Sequence, residues 1–323
     1  MMHRDHDFSM PTVVSTIEGP IAAQASQAVE ANPSGSTTFL LGNSAIPVVA
    51  LWVPAMVAAS YEWGHGDYYD YGWFVPPAAL WLLAVRWREI QDPVALPSRG
   101  IIVAALVILI PWLVGLRILG HADPSWRLPM ILLGLTAALT GHAWIGLTRS
   151  WRASRDFLWI TLLCLSAVPW PSVIENGIVR NLTDSVTAVT AEAFQWLGKP
   201  VEVVGDRLSL NGLTVEVTDG CSGVRSFQSF VMATWFFAEL QRLNVGRTLT
   251  LLVYACCVAF MINACRTFAL AQIRFTRGEE AFHQAHDSLG LLAFVTSGLL
   301  FYLISGKLSE NSRRKVVKTQ QLP

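Results

Sequence analysis

Apolar stretches of bilayer-crossing length recur along this chain, and they constrain its fold more than any other feature of the sequence. About 20 helical residues cross a hydrocarbon core roughly 30 Å thick, and a helix satisfies its own backbone hydrogen bonds there. Spans are predicted near 44–61, 72–87, 100–119, 129–148, 156–172, 222–240, 247–270 and 288–306. The second is short and carries Pro76 and Pro77 near its start. Composition agrees: 53% of residues are hydrophobic and 14% charged, with a mean hydropathy of +0.43, outside the range of an ordinary soluble domain. The expected fold is an all-α integral membrane protein, a bundle of about eight transmembrane helices. With 23 basic and 23 acidic residues the net charge is zero, so nothing electrostatic points to nucleic acid or an acidic substrate. The 13 tryptophans fit anchors at the membrane interface.

Basic residues in short loops mark the cytoplasmic side. Arg86, Arg88 and Arg99 follow the second span, Arg149, Arg152 and Arg155 the fourth, Arg242 and Arg247 the sixth. Lys307, Arg313, Arg314, Lys315 and Lys318 follow the eighth, so all four clusters fall on one side of an even-numbered topology. Both termini are then cytoplasmic in a multi-pass plasma (inner) membrane protein, and 62–71, 120–128, 173–221 and 271–287 face out. Residues 1–36, rich in Ser, Ala, Thr, Glu and Pro and without the apolar core of a signal peptide, read as a disordered cytoplasmic tail. Residues 37–306 form the membrane domain, and 307–323 a basic cytoplasmic tail. The extracytoplasmic insert 173–221 holds a helix over Thr183–Leu197, from the spacing of Val186, Val189, Ala193 and Phe194. It then holds a β-hairpin over Val201–Val217, from period-two alternation around Asn211-Gly212.

Three polar sites stand out against this background. In Asp219-Gly220-Cys221-Ser222-Gly223-Val224-Arg225-Ser226 a cysteine is expected in the first turn of the sixth span. The helix N-terminus and Arg225, one turn on, both favour thiolate over thiol, and thiolate is the nucleophile of covalent acyl transfer. Gly220 and Gly223 would let a substrate backbone approach; the plain alternative is a small residue packed at a helix start. Within the seventh span, Asn263-Ala264-Cys265-Arg266 places a guanidinium about 6 Å below the outer surface, with Asn263 on the same helical face. Ionisable groups inside spans are rare and by default functional, although an arginine so near a helix end can also snorkel to the headgroups. At the entrance to the eighth span, Ala285-His286-Asp287 supplies an imidazole able to exchange protons near neutral pH. His283 lies one turn earlier, leaving a surface histidine pair, or a metal held by His283, His286 and Asp287, as alternatives; no further ligands stand at a recognisable spacing. The five cysteines form no CxxC pair, so neither a disulfide framework nor a structural zinc site is expected. Loop charge alone brings Cys221, Arg266 and His286 to one membrane interface, which suits a cysteine–histidine site with a cationic stabiliser.

In Cys221-Ser222-Gly223-Val224-Arg225-Ser226, Asn263-x-x-Arg266 and His286-Asp287-x-x-Gly290, taken in that order along about eight spans, the chain resembles the exosortase and archaeosortase family of membrane transpeptidases. A weaker similarity covers most of the membrane region, including Tyr68 to Pro77 after the first span, where the family usually has His before the Gly and this chain has Tyr71. The resemblance implies a cysteine peptidase acting on secreted proteins that carry a C-terminal sorting signal of the PEP-CTERM type: a short motif, a transmembrane helix and a basic tail. Cys221 would attack the scissile carbonyl to form a thioester, with His286 managing protons and Arg266 stabilising the oxyanion; Ser222, Gly223, Arg225, Asn263 and Asp287 would support them. An acceptor would then resolve the thioester. No cofactor and no metal is implied, and the other partners are membrane lipids. Two further readings stay open: a transporter or lipid-handling protein in which Arg266 binds an anionic headgroup, and a scaffold without chemistry.

Overall fold

The computed structural model of the chain describes residues 45–90, 96–217 and 222–320. Helix α1 (Ile46–His65) is followed by a short 3-10 helix (Asp70–Phe74) and α2 (Val75–Glu89). Next come α3 (Arg99–Ala122), α4 (Arg127–Thr148), α5 (Trp151–Asp156), α6 (Leu158–Ser166) and α7 (Ser172–Trp196). Strands β1 (Glu202–Val204), β2 (Arg207–Leu210) and β3 (Leu213–Glu216) lead into α8 (Val224–Leu240), α9 (Val245–Arg277) and α10 (Glu279–Gln320). The expected tail 1–36 lies outside the described residues. The expected C-terminal tail, from 307, continues α10 as far as Gln320.

Five described helices, α1, α3, α4, α9 and the Glu279–Ser309 part of α10, are long and apolar enough to cross a membrane. The other three expected spans correspond to α2, α6 and α8, of 15, 9 and 17 residues. At 1.5 Å per residue each is too short by itself for a core of roughly 30 Å. The fifth expected span is broken near its start, because α5 ends at Asp156 and Phe157 joins it to α6.

Oppositely charged groups mark the two ends of the bundle. At one end the buried Glu239 of α8 accepts two bonds from Arg86 of α2, at 2.8 and 3.0 Å, and a further close bond from Arg242. Arg242 also reaches Glu89 at 2.6 Å. At the other end Arg127, the first residue of α4, lies between Glu175 of α7 at 2.6 Å and Glu62 of α1 at 3.2 Å. The Tyr69 hydroxyl donates to Glu175 and accepts from the Trp170 backbone N–H at 2.8 Å, and the Arg127 guanidinium stands over the Tyr69 ring. Burial, together with the Glu175 carboxylate, pushes the Tyr69 phenol well above its ordinary range, so it stays a donor at every accessible pH. Alongside, Trp63 donates to the Ala167 carbonyl and Tyr71 to that of Ser166, both at 2.7 Å. The segment between α1 and α2 is thereby stitched to the α6–α7 connection.

Sequence reasoning singled out neither of these ion clusters. Breaking a buried pair from one side leaves an uncompensated charge and costs about 3–5 kcal/mol. Arg127→Met is therefore expected to lower the melting temperature in detergent by many degrees, and adding Glu62→Gln and Glu175→Gln to recover most of the loss. An unchanged melting temperature for the single variant would remove the cluster from the stability of the fold.

The insert has more structure than expected. Helix α7 begins at Ser172 rather than Thr183, and the strands form a three-stranded antiparallel sheet, β1-β2-β3, rather than one hairpin. The β2–β3 pairing sets Leu210 against Leu213 across Asn211 and Gly212, both at positive φ as a two-residue hairpin turn requires. A second turn at Gly205, φ +65°, adds β1. Leu208, Val215 and Val217 from this sheet pack with Val186 and Phe194 of α7 and with Ala271 of α9. The sheet is thus fastened to the helix that carries Arg266.

Candidate active site

Helices α9 and α10 pack along each other and are joined by a sharp turn at Gly278, whose φ is +84°. Counted from that turn, Arg266 is roughly three helical turns back and His286 about two turns forward, so the antiparallel pair sets them about one turn apart, a gap the long arginine side chain spans. An Arg266 terminal nitrogen lies 3.1 Å from His286 Nε2. Arginine has only donors, so Nε2 is the acceptor and the ring carries its proton on Nδ1. Nδ1 faces the Asp287 carboxylate at 3.1 Å. The result is a neutral imidazole held between a guanidinium and a carboxylate, the usual means of fixing a tautomer. His286 is half-buried and Asp287 almost fully exposed, so the chain of contacts opens to the surroundings at the Asp287 end.

On the other side of Arg266, Asn263 lies one turn earlier and is buried. It abuts the start of α8, where Gly223 caps the helix in the left-handed region at φ +83°. A Cβ on Gly223 would stand 2.8 Å from the Asn263 amide carbon. Only glycine fits there, for both the torsion and the space. Arg266, Asn263, Gly290, Ser226, Phe294 and Ser297 line a cavity of about 40 Å³, room for a few atoms. Arg266 Nε is buried and has no hydrogen-bond partner among the described residues, an expensive state for part of a charged group.

Of the residues singled out from the sequence, the structure therefore brings together Arg266, His286, Asp287, Asn263 and Gly223. Ser222 is buried, and its hydroxyl lies 3.3 Å from the Val224 backbone N–H. Arg225 is exposed and turned the other way: its Nε donates at 2.6 Å to the Asp67 carbonyl, in the segment between α1 and α2. Cys221 lies outside the described residues. Helix α8 begins at Val224 rather than near residue 222. His283 is exposed and faces Glu279 at 3.7 Å, away from the Arg266–His286 pair. Among the described residues no group of three or more His, Cys, Asp or Glu side chains is gathered to hold a metal. Sequence reasoning assigned no role of their own to Ser226, Phe294 and Ser297, which also line the cavity. Their signal was positional: Ser226 follows Arg225, and Phe294 and Ser297 stand two and three turns beyond His286 on α10.

A family model described as transmembrane exosortase matches residues 63–303, well over half of the chain and a stretch that contains every residue named in this cluster. No curated protein and no solved structure matches the chain.

Proposed function

This chain belongs to the transmembrane exosortase family, and we propose from that premise that Cys221 is the nucleophile of its peptide transfer, with His286 and Arg266 as its partners. Membership makes it a membrane transpeptidase of the exosortase type, acting on secreted proteins with C-terminal sorting signals. The observation that carries the finer reading is the 3.1 Å contact between Arg266 and His286 Nε2, beside a cavity that Arg266 itself lines.

In the resting arrangement the His286 lone pair is occupied by Arg266. A substrate carbonyl entering the cavity competes for the guanidinium, and Nε2 is released to accept the Cys221 thiol proton. The thiolate adds to the carbonyl carbon, and Arg266 neutralises the oxyanion as the C=O bond opens. When that intermediate collapses, the C–N bond breaks, the proton on Nε2 passes to the departing amine, and the acyl group remains on sulfur as a thioester. An acceptor nucleophile then gives its proton to His286, adds to the thioester and expels the thiolate. Throughout, Asp287 holds the Nδ1 proton and steadies the imidazolium. Gly223 and Asn263 set the start of α8 against α9. The loop charges support a topology with this end of the bundle outside the cytoplasm, in a plasma-membrane protein with both termini inside.

The test is a variant that keeps Cys221 as its sole cysteine, probed on intact cells with a membrane-impermeant maleimide. Labelling is expected from outside, and with it loss of processing of a secreted reporter ending in a sorting signal. No external labelling, or full processing by the labelled protein, would refute the reading.

A further inference from the structure

Next to the Arg266 cavity, and sharing Ser226 and Phe294 with it, is a second recess of about 210 Å³. Sites for drug-sized ligands run to roughly 300–1,000 Å³, so this one has the scale of a single amino-acid side chain. Its far wall is Tyr68, Asp70 and Tyr71, from the segment between α1 and α2, and its near wall is Arg225 and Ser229 of α8. That far wall is not a loose loop. Tyr71 is anchored to the Ser166 carbonyl, and between Tyr68 and Asp70 the Tyr69 hydroxyl is locked into the Glu175–Arg127 cluster.

Arg225 is pre-oriented as well. The Asp67 carbonyl holds its Nε, and this is the one side-chain hydrogen bond it makes among the described residues, so its two terminal nitrogens remain as a fixed donor fork. Asp70 is exposed, and among the described residues it has no salt-bridge partner. The recess therefore presents a donor fork, a carboxylate acceptor, two serine hydroxyls and aromatic walls, and the formal charges of Arg225 and Asp70 cancel. A side chain bearing one sign of charge meets one attractive and one repulsive group there. A neutral side chain with both an acceptor and a donor meets two partners.

We infer that this recess is the subsite for the substrate residue flanking the scissile bond, that it takes a neutral amide-type side chain, and that Asp70 and Arg225 set its charge selectivity. The inference rests on the proposed peptide-transfer reading, since the recess has that role only through its border with the Arg266 cavity at Ser226 and Phe294.

The experiment uses the full-length protein in detergent and a set of reporter peptides differing only at each residue flanking the cleavage point, as Gln, Glu or Lys. Processing by the parent is expected to favour Gln at one flanking position. Asp70→Asn is expected to raise the Glu-to-Lys ratio at that position on the order of tenfold, and Arg225→Gln to lower it by a similar factor, since specificity is a difference of affinities. The same ratios are read a second way, from binding of the peptides to protein carrying Cys221→Ala. Ratios that do not move in either variant, by processing or by binding, overturn the subsite. Ratios that move in binding while the parent processes no peptide sustain the subsite and sink the chemistry instead.

Discussion

Protein carrying Cys221→Ala is expected to process no substrate above background, a fall on the order of 10⁴-fold or more, while remaining inserted with an unchanged melting temperature. Loss on that scale is what removal of a covalent nucleophile produces, because the residual stabilising groups have no addition step left to assist. The unchanged stability follows from the neighbours on either side. Val217, four residues earlier, is buried with Leu208 and Val215 of the sheet in the α7 core, while Ser222 and Val224, just after it, are buried at the start of α8. The chain is thus anchored on both flanks by groups other than the sulfur. Cys221→Ser is expected to be nearly as inactive, since a hydroxyl at its free pKa is a far weaker nucleophile than a thiol. The assay compares conversion of a sorting-signal reporter with the folded fraction on size exclusion. Normal conversion by Cys221→Ala would end the assignment of the nucleophile.

The parts of this molecule that were legible in its sequence are those governed by local rules. Apolar run length located α1, α3 and α4 within a few residues, since the bilayer fixes the length of a span whatever its neighbours do, whereas α9 and α10 run on past the apolar stretch to meet at Gly278. Alternation around Asn211-Gly212 located the β2–β3 turn, because both positions need positive φ. The β1–β2 turn at Gly205 falls where the alternation changes phase, from the odd positions Val201 and Val203 to the even positions Leu208 and Leu210, a break that a single hairpin arm does not accommodate. The first turns of α7, by contrast, were hidden. Glu175 is buried there as a partner of Arg127, so a charged residue stands where periodicity looks for an apolar one. No local pattern could have joined Glu62, Arg127 and Glu175, which come from three helices far apart in the chain. Nor could one have shown that Tyr71 anchors a wall, since that depends on the Ser166 carbonyl. The site itself was half legible. Residue chemistry and loop charge placed Arg266 and His286 at one level, and the glycine turn at residue 278 explains why that inference carried to a direct contact. The orientation of Arg225 toward the α1–α2 segment required the packing of α8 and could not have been read from its spacing to Cys221.

Arg266→Lys is the substitution that separates the peptide-transfer reading from an anion-binding one, because it keeps the charge and removes the fork. A guanidinium can face the His286 ring with one terminal nitrogen and still offer further N–H donors in the same plane. A lysine ammonium on a flexible stem is a point charge and cannot hold two acceptors in that planar geometry. If Arg266 stabilises an oxyanion that exists only as the carbonyl is attacked, the loss falls on turnover. Removing a single donor of this kind costs about 10²–10³ in kcat, with a much smaller change in substrate binding. Arg266→Lys is therefore expected to lose two to three orders of magnitude in processing rate while binding the reporter peptide nearly as well as the parent, and Arg266→Gln to lose at least as much. If Arg266 instead served a lipid phosphate, lysine would substitute well, since it is itself a common phosphate binder. Rates for Arg266→Lys within about threefold of the parent, far short of that donor-loss range, would reduce the role of Arg266 to charge at the interface and detach it from the reacting carbonyl.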